Sequence, residues 1–237
     1  MELERRPYTP SPRLISSKIA VTDAAAVQVQ PQTIDVVRDS SAKRALDLLL
    51  ATAMLIASAP LWVLVALAIK LEDGGPVFYF QERWGRGGQI FRVRKFRTMI
   101  QNAGLRQAEQ NDRRITRVGH FLRACGMDEL PQILNIWRGE MSFVGPRALA
   151  VGELVRDSEG NYSSYELVPG FWERLAVRPG LTGIATIYIP KDAPPRRKFR
   201  YDMLYIRRRS FWLDLRLIVM SFWISFRGKW ETRERKL

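Results

Sequence analysis

The chain has 237 residues, and 38 Lys and Arg against 24 Asp and Glu give it a formal net charge of +14. This length predicts one sizeable domain with tails, and a hydrophobic content of 46% is enough for a packed core. The single Cys125 and the single His120 exclude a disulfide framework, a cysteine-based metal site and a multi-histidine metal site. The positive charge predicts anionic partners, which include nucleic acid, anionic lipid and phosphorylated small molecules.

An uncharged stretch follows a polar N-terminal segment. Residues 1–42 are polar and contain several prolines without sustained periodicity, which predicts a disordered tail. The run Leu48–Ile69 holds 22 uncharged residues, and as a straight helix of about 33 Å it would cross a hydrocarbon core of about 30 Å. Two arrangements fit this run: a spanning helix, and a re-entrant helix that bends at Pro60 and leaves by the face it entered. We favour the re-entrant helix, because Lys and Arg flank the run on both sides. The positive-inside rule would place both flanks on the cytoplasmic side, as a helix that bends at Pro60 allows.

A strand pair is predicted directly after the apolar run. Residues 77–80 and 89–97 have the composition and alternation of strands, and the glycine-rich segment 85–88 supplies a tight turn between them. A period of two places Lys95 and Arg97 on one face of the second strand. That face is either a clamp for a diphosphate or an ordinary solvated surface.

The pair Asp128-Glu129 is the sharpest chemical feature of the sequence. Asp128 stands before the apolar stripe of a helix predicted to end near Trp137, and aspartate is a preferred N-cap. The helix dipole would keep this carboxylate ionised, so Asp128 is either a nucleophile or metal ligand or merely a cap. The loop residues Pro146 and Arg147 suit phosphate recognition.

Two further helices are predicted near the C-terminus, over 199–206 and 211–226. Between residues 196 and 237 there are 13 Lys and Arg against 4 Asp and Glu, which suits anionic headgroups. The uncharged part of the last helix, residues 217–226, is too short to span a bilayer. We therefore expect this helix to lie in the membrane interface.

Taken together, several segments resemble the bacterial sugar transferases, also called monotopic phosphoglycosyl transferases. They occur in the family's order and cover roughly residues 43–222. The segments are KRALDLLL with its proline-interrupted apolar run, GPVFYFQERWGRGGQIFRVRKFRTM, DELPQILNIWRGEMSFVGPRAL, VRPGLTGIA and KFRYDMLYIRRRSFWLDLRLI.

The resemblance implies an activity and a set of site residues. Family members transfer a sugar phosphate from a UDP-sugar to polyprenyl phosphate, with Mg²⁺ and release of UMP, on the cytoplasmic face of the bacterial inner membrane. Asp128 matches the family's nucleophile and Glu129 its acidic partner, and both are expected to hold the metal. The substrate-binding positions that the resemblance implies are Lys95, Arg97, Pro146, Arg147 and Asp202. Arg178 is a further candidate, because it belongs to the loop Arg178-Pro179-Gly180, which is similar to Gly145-Pro146-Arg147.

The expected fold is a mixed, helix-rich α/β domain seated in the membrane. We expect a tail at 1–42, a re-entrant membrane helix at 43–71, a catalytic domain with interfacial C-terminal helices at 72–226, and a basic tail at 227–237. Anionic lipid is an expected partner, nucleic acid is not, and a homodimer is compatible with the sequence. The competing interpretation is a non-enzymatic adaptor that binds anionic lipid or nucleic acid at the membrane surface. It explains the charge but not the clustered DELPQ, GPR and RPG segments.

Overall fold

The computed structural model describes residues 34–100, 112–156, 162–190 and 192–226. The helices in these ranges are α1 (Ser41–Asp73), α2 (Arg117–Ala124), α3 (Gln132–Arg138), α4 (Ile184–Tyr188), α5 (Pro195–Arg208) and α6 (Phe211–Phe226). The strands are β1 (Phe78–Trp84), β2 (Ile90–Phe96), β3 (Ser142–Val144), β4 (Leu154–Arg156), β5 (Tyr162–Ser164) and β6 (Gly180–Thr182). The prediction of a mixed, helix-rich fold is confirmed.

The strands pair two by two. β1 and β2 form the predicted antiparallel hairpin, with Tyr79 opposite Lys95. β3 pairs with β6 in parallel, so that the chain returns beside β3 after a long excursion. β4 and β5 form a second, shorter antiparallel pair. The β3–β6 pair joins the loop that follows β3 to the segment around Gly180.

The first half of α1 is bound to the rest of the domain by charged side chains. Ser40 caps the helix by accepting from the Lys43 amide at 3.2 Å. The buried Lys43 ammonium donates to Asp214 of α6 at 2.8 Å, and Arg44 donates to the carbonyl groups of Ile136 and Trp137 at the end of α3. A buried ammonium needs such a counter-charge, and here the counter-charge fixes α1 against α6.

The second half of α1 packs on a different part of the same domain. Val65 and Ile69 are buried against Phe96 of the hairpin and Leu122 of α2. The Glu72 carboxylate accepts from the backbone amides of Arg117 and Val118 at 2.6 and 3.2 Å, which satisfies free donors in the first turn of α2. Both ends of α1 therefore contact the same folded unit.

The apolar surface between these two ends of α1 is uncovered. Ile56, Val63 and Leu64 are each more than 60% exposed. Helix α6 shows a similar pattern, since Leu217 and Ile224 are fully buried while other large apolar side chains on that helix face outward. The exposed apolar side chains of α6 include Trp212, Val219, Phe222 and Trp223. Among the described residues, α1 alone is long and apolar enough to cross a membrane.

Two predicted boundaries need correction. Residues 34–40 belong to the folded unit and not to the tail, because the Val37 amide donates to the Ala176 carbonyl at 2.9 Å and Asp39 pairs with Arg178. Residues 1–33 and the predicted basic tail at 227–237 lie outside the described residues. The membrane helix predicted at 43–71 is also slightly longer, since α1 begins at Ser41 and ends at Asp73, with Pro60 inside it.

Candidate active site

Lys95 of the hairpin contacts the acidic residues Asp128 and Glu129. Phe91 and Val93 are buried on the inner face of β2, and Lys95 is the next residue on that face. Its ammonium lies 2.6 Å from Glu129 Oε1 and 4.0 Å from Asp128 Oδ2, with 17% of its side chain exposed. The structure thus brings together three of the residues that the sequence singled out.

Asp128 and Glu129 lie in a tight turn and not at the start of an α-helix. The turn is a 3₁₀ segment, Met127–Glu129, and α3 begins only after Pro131. Pro131 has no amide hydrogen for the Met127 carbonyl, which accepts instead from the Leu130 amide at 3.2 Å. The expectation that Asp128 caps the helix, and that the helix dipole keeps it ionised, is therefore wrong.

The two neighbouring carboxyl groups have pKa values that are shifted in opposite directions by their surroundings. Burial raises the pKa of Asp128, with a further contribution from Glu129, while Lys95 acts in the opposite direction. Burial would also raise the pKa of Glu129, but the charges of Lys95 and Arg147 outweigh it and hold that pKa at about 2. Divergent pKa values in one acidic pair are typical of groups with different chemical tasks. Glu129 is a fixed anion bound to Lys95, and Asp128 is the more basic carboxylate.

The loop that carries Arg147 is fixed by two segments that approach closely. The Gly145 amide donates to the Thr182 carbonyl at 2.9 Å, and the Gly180 amide donates to the Pro146 carbonyl at 2.9 Å. A Cβ atom on Gly180 would overlap the Gly145 amide nitrogen, so both backbones need glycine here. Pro146 is buried and shapes the loop, whereas the Arg147 side chain is exposed.

Arg83 is a member of the site that the sequence did not single out. Its guanidinium donates to the Ala148 carbonyl at 2.6 Å and to Gln81 Oε1 at 2.9 Å. Burial and the neighbouring charge of Arg147 lower its pKa to about 10. Its Nε atom is buried without a hydrogen-bond partner. Two guanidinium groups held near each other beside Glu129 form a positive surface suited to a polyphosphate. An arginine on a strand gave no sequence signal for this site, because Ala148, its partner in the site loop, lies 65 residues away.

The remaining predicted substrate-binding residues have partners within the fold. Arg97 is buried and pairs with Asp73 at the end of α1, and Arg178 donates to the Gly139 carbonyl at 2.8 Å and pairs with Asp39. Asp202 is buried against Arg174, with 2.9 Å between Oδ2 and Nε. None of the described hydrogen bonds or ion pairs of these residues reaches Asp128 or Glu129.

The two carboxylates form a donor set that suits Mg²⁺. This hard cation binds oxygen ligands, typically one or two carboxylates together with substrate phosphate groups. The described residues contain no group of three or more His, Cys, Asp or Glu side chains that could hold a metal alone. Asp128 and Glu129 supply two carboxylates, and water molecules together with substrate phosphate groups would complete the coordination.

Comparison with known proteins assigns the chain to a family. The family described as bacterial sugar transferase matches residues 38–228, which covers the hairpin, the acidic turn and the C-terminal helices. The chain belongs to the bacterial sugar transferases. This membership confirms the resemblance seen in the sequence and makes the protein a member of a transferase family.

Individual known proteins are similar over most of this chain. The chain is 40% identical over 185 residues to "Exopolysaccharide production protein PSS" of Rhizobium leguminosarum bv. phaseoli, covering 74% of this chain and 90% of that protein. It is 39% identical over 189 residues to "UDP-glucose:undecaprenyl-phosphate glucose-1-phosphate transferase" of Xanthomonas campestris pv. campestris, covering 76% and 38%. It is 37% identical over 185 residues to "UDP-N-acetylgalactosamine-undecaprenyl-phosphate N-acetylgalactosaminephosphotransferase" of Aeromonas hydrophila, covering 74% and 41%. The chain thus spans nearly all of the first protein and about two fifths of the other two.

Proposed function

We propose that this bacterial sugar transferase moves a sugar 1-phosphate from a UDP-sugar to polyprenyl phosphate, with release of UMP. The names of its relatives support this reaction class, since two of them pair a UDP-sugar with undecaprenyl phosphate. The observation that carries the proposal is the acidic turn, where Asp128 and Glu129 lie against Lys95 and next to two arginines. The product would start the assembly of an exopolysaccharide, capsule, O-antigen or other glycan.

The acidic turn supports a covalent route in two steps. In the first step an Asp128 oxygen attacks the phosphorus next to the sugar, and the bond to the UMP oxygen breaks. In the second step a phosphate oxygen of the polyprenyl acceptor attacks the same phosphorus, and the Asp128 carboxylate is released. A covalent nucleophile divides one difficult transfer into two easier ones. Its raised pKa makes Asp128 the better nucleophile of the acidic pair.

The basic side chains offset repulsion between the carboxylate and the phosphate groups. Lys95 stays close to both carboxyl groups, and the exposed Arg147 guanidinium is free to bind phosphate oxygens in bidentate fashion. Asp128 and Glu129 would hold Mg²⁺, which supplies further charge neutralisation to the diphosphate when it is bound.

Release of UMP is the direct test of this function against the adaptor hypothesis. Purified protein in detergent, given a UDP-sugar, polyprenyl phosphate and Mg²⁺, is expected to release UMP. The experiment should use a panel of UDP-sugars, because the named relatives differ in the sugar they transfer. A protein that binds anionic vesicles but releases no UMP from any of these sugars would be an adaptor.

We also propose that α1 re-enters the cytoplasmic face of the inner membrane. Both of its ends contact one domain, through Lys43 at one end and Glu72 at the other, which is difficult to combine with ends on opposite sides of a bilayer. Its middle is apolar and exposed. Pro60 removes one helical hydrogen bond, and Ser58 Oγ donates to the Met54 carbonyl at 2.6 Å, a contact that often bends helices.

Reporter tags test this topology. Tags at residues 5 and 237 are expected to show the same protease accessibility in sealed vesicles, because a re-entrant helix keeps both ends on one side. Pro60→Ala should move part of the population to opposite accessibility, since alanine restores the missing hydrogen bond. Val63→Ala, at an exposed position of the same helix, should keep the wild-type pattern. Opposite accessibility in the wild-type protein would establish a spanning helix instead.

Arg147→Lys tests the phosphate contact. Lysine keeps the charge but loses the planar fork, so we expect turnover to fall about tenfold or more, equivalent to about 1.4 kcal/mol. The fold should survive, because the hydrogen bonds that hold the loop are made to its backbone and not to the Arg147 side chain. Steady-state UMP release measures the effect. Arg92→Lys is the matched control, since Arg92 is exposed on the hairpin and pairs only loosely with Glu82, at 3.6 Å. Equal rates of UMP release in the two variants would show that Arg147 is an ordinary surface residue without a phosphate contact.

A further inference from the structure

Arg174 is a buried cation outside the acidic turn, and it makes precise contacts. It is 2% exposed, and its guanidinium lies 4.8 Å from the centre of the Phe199 ring. Nε donates to Asp202 Oδ2 at 2.9 Å, and Nη2 lies at the same distance from that oxygen. Burying a guanidinium is costly unless it is paired and hydrogen-bonded, and Asp202 supplies the pairing.

A second side-chain contact of Arg174 reaches the loop of the candidate site. Its Nη2 donates to the backbone carbonyl of Arg147 at 2.6 Å. This carbonyl is the middle one of three consecutive carbonyl groups, each held by a donor from a different element. The donors are the Gly180 amide for Pro146, the Arg174 guanidinium for Arg147 and the Arg83 guanidinium for Ala148. The backbone of this loop is therefore fixed residue by residue, while the Arg147 side chain is left exposed to ligand.

We propose that Arg174, held by Asp202, is a positioning residue that sets the direction of the Arg147 guanidinium toward the phosphate groups of the donor. This proposal rests on the sugar-phosphate transfer proposed above. Asp202 then acts on the reaction through two buried contacts and does not touch the substrate, which replaces its sequence-based assignment as a substrate-binding residue. The planar fork of arginine is required, because one guanidinium must bind a carboxylate and a carbonyl at fixed angles.

A double-mutant cycle separates positioning from a general contribution to folding. Arg174→Lys keeps the charge but cannot hold both partners in the same geometry, so we expect kcat/KM for UMP release to fall roughly tenfold. In an Arg147→Ala background the same change should cost less than about twofold, because the side chain that it positions is gone. Asp202→Asn should behave in the same way, and it serves as a second route if Arg174→Lys does not fold.

Phe171→Leu is the matched control for this cycle. Phe171 is fully buried in the same apolar cluster as Phe199 but is not hydrogen-bonded to the loop through its side chain. Any loss it causes should be the same with and without Arg147. Additive losses for both Arg174→Lys and Asp202→Asn would overturn the positioning role and leave the proposed function intact. A full rate in Arg147→Ala alone would overturn the phosphate contact itself, and with it the positioning role.

Discussion

Asp128→Asn is expected to lower sugar-phosphate transfer by several orders of magnitude. Asparagine has the same size but is no anion, so it cannot form the covalent bond to phosphorus. The fold should tolerate the change, because Asp128 caps no helix and its nearest ion-pair partner in the described chain, Lys95, is 4.0 Å away. UMP release and thermal unfolding, measured on the same preparation, distinguish lost chemistry from lost structure.

Glu82→Gln is a suitable control for that variant. Glu82 lies on the exposed side of the hairpin and also loses one negative charge on substitution. It should keep the wild-type rate. If Asp128→Asn retained transfer within about tenfold of the wild type, a nucleophilic role for Asp128 would be untenable.

Glu129→Gln should produce the second large loss, through a different cause. The Glu129 carboxylate is a permanent anion, since its pKa is held at about 2, and it is bound to Lys95 at 2.6 Å. The neutral amide would bind a hard cation poorly and would leave the Lys95 ammonium without its closest partner. We expect a severe fall in turnover and a much higher Mg²⁺ concentration for half-maximal activity.

A Mg²⁺ titration of UMP release measures this effect. Removing the metal with a chelator should abolish transfer in the wild-type protein, and adding Mg²⁺ should restore it. Glu140→Gln is the control, because the described contacts of the Glu140 carboxylate are with Asn135, at 2.7 Å, and Arg94, at 3.5 Å, and not with Lys95. An unchanged Mg²⁺ requirement in Glu129→Gln would remove Glu129 from the metal site.

Local patterns in the sequence predicted much of the secondary structure. The hairpin followed from alternation on either side of a glycine-rich turn, and α6 lies at the predicted residues 211–226. The juxtaposition of Lys95 with the acidic pair is understandable afterwards, because a lysine on the inner face of a strand needs a counter-charge. The alternation of the strand alone could not predict which acidic group would provide this counter-charge.

Contacts between residues far apart in the chain could not be predicted from local patterns in the sequence. Arg83 and Arg174 act through carbonyl groups 65 and 27 residues away, and neither contact leaves a local pattern. Arg97 was expected at the phosphate site, but Asp73 at the end of α1 binds it. The turn at Asp128 was mistaken for a helix start because a proline is usually tolerated in a first helical turn. Here the amides of Ile133 and Leu134 donate to the carbonyl groups of Leu130 and Pro131, three residues earlier, and α3 begins only at Gln132, beyond the acidic pair.

A trapped adduct on Asp128 tests the central claim most directly. The full-length protein is incubated with a UDP-sugar and Mg²⁺ in the absence of polyprenyl phosphate, then digested and examined by mass spectrometry. We expect the peptide that contains Asp128 to carry the mass of one sugar phosphate, and we expect the adduct to disappear when the lipid acceptor is added. If no adduct forms and UMP is released only when the acceptor is present, transfer is direct and Asp128 is not the nucleophile.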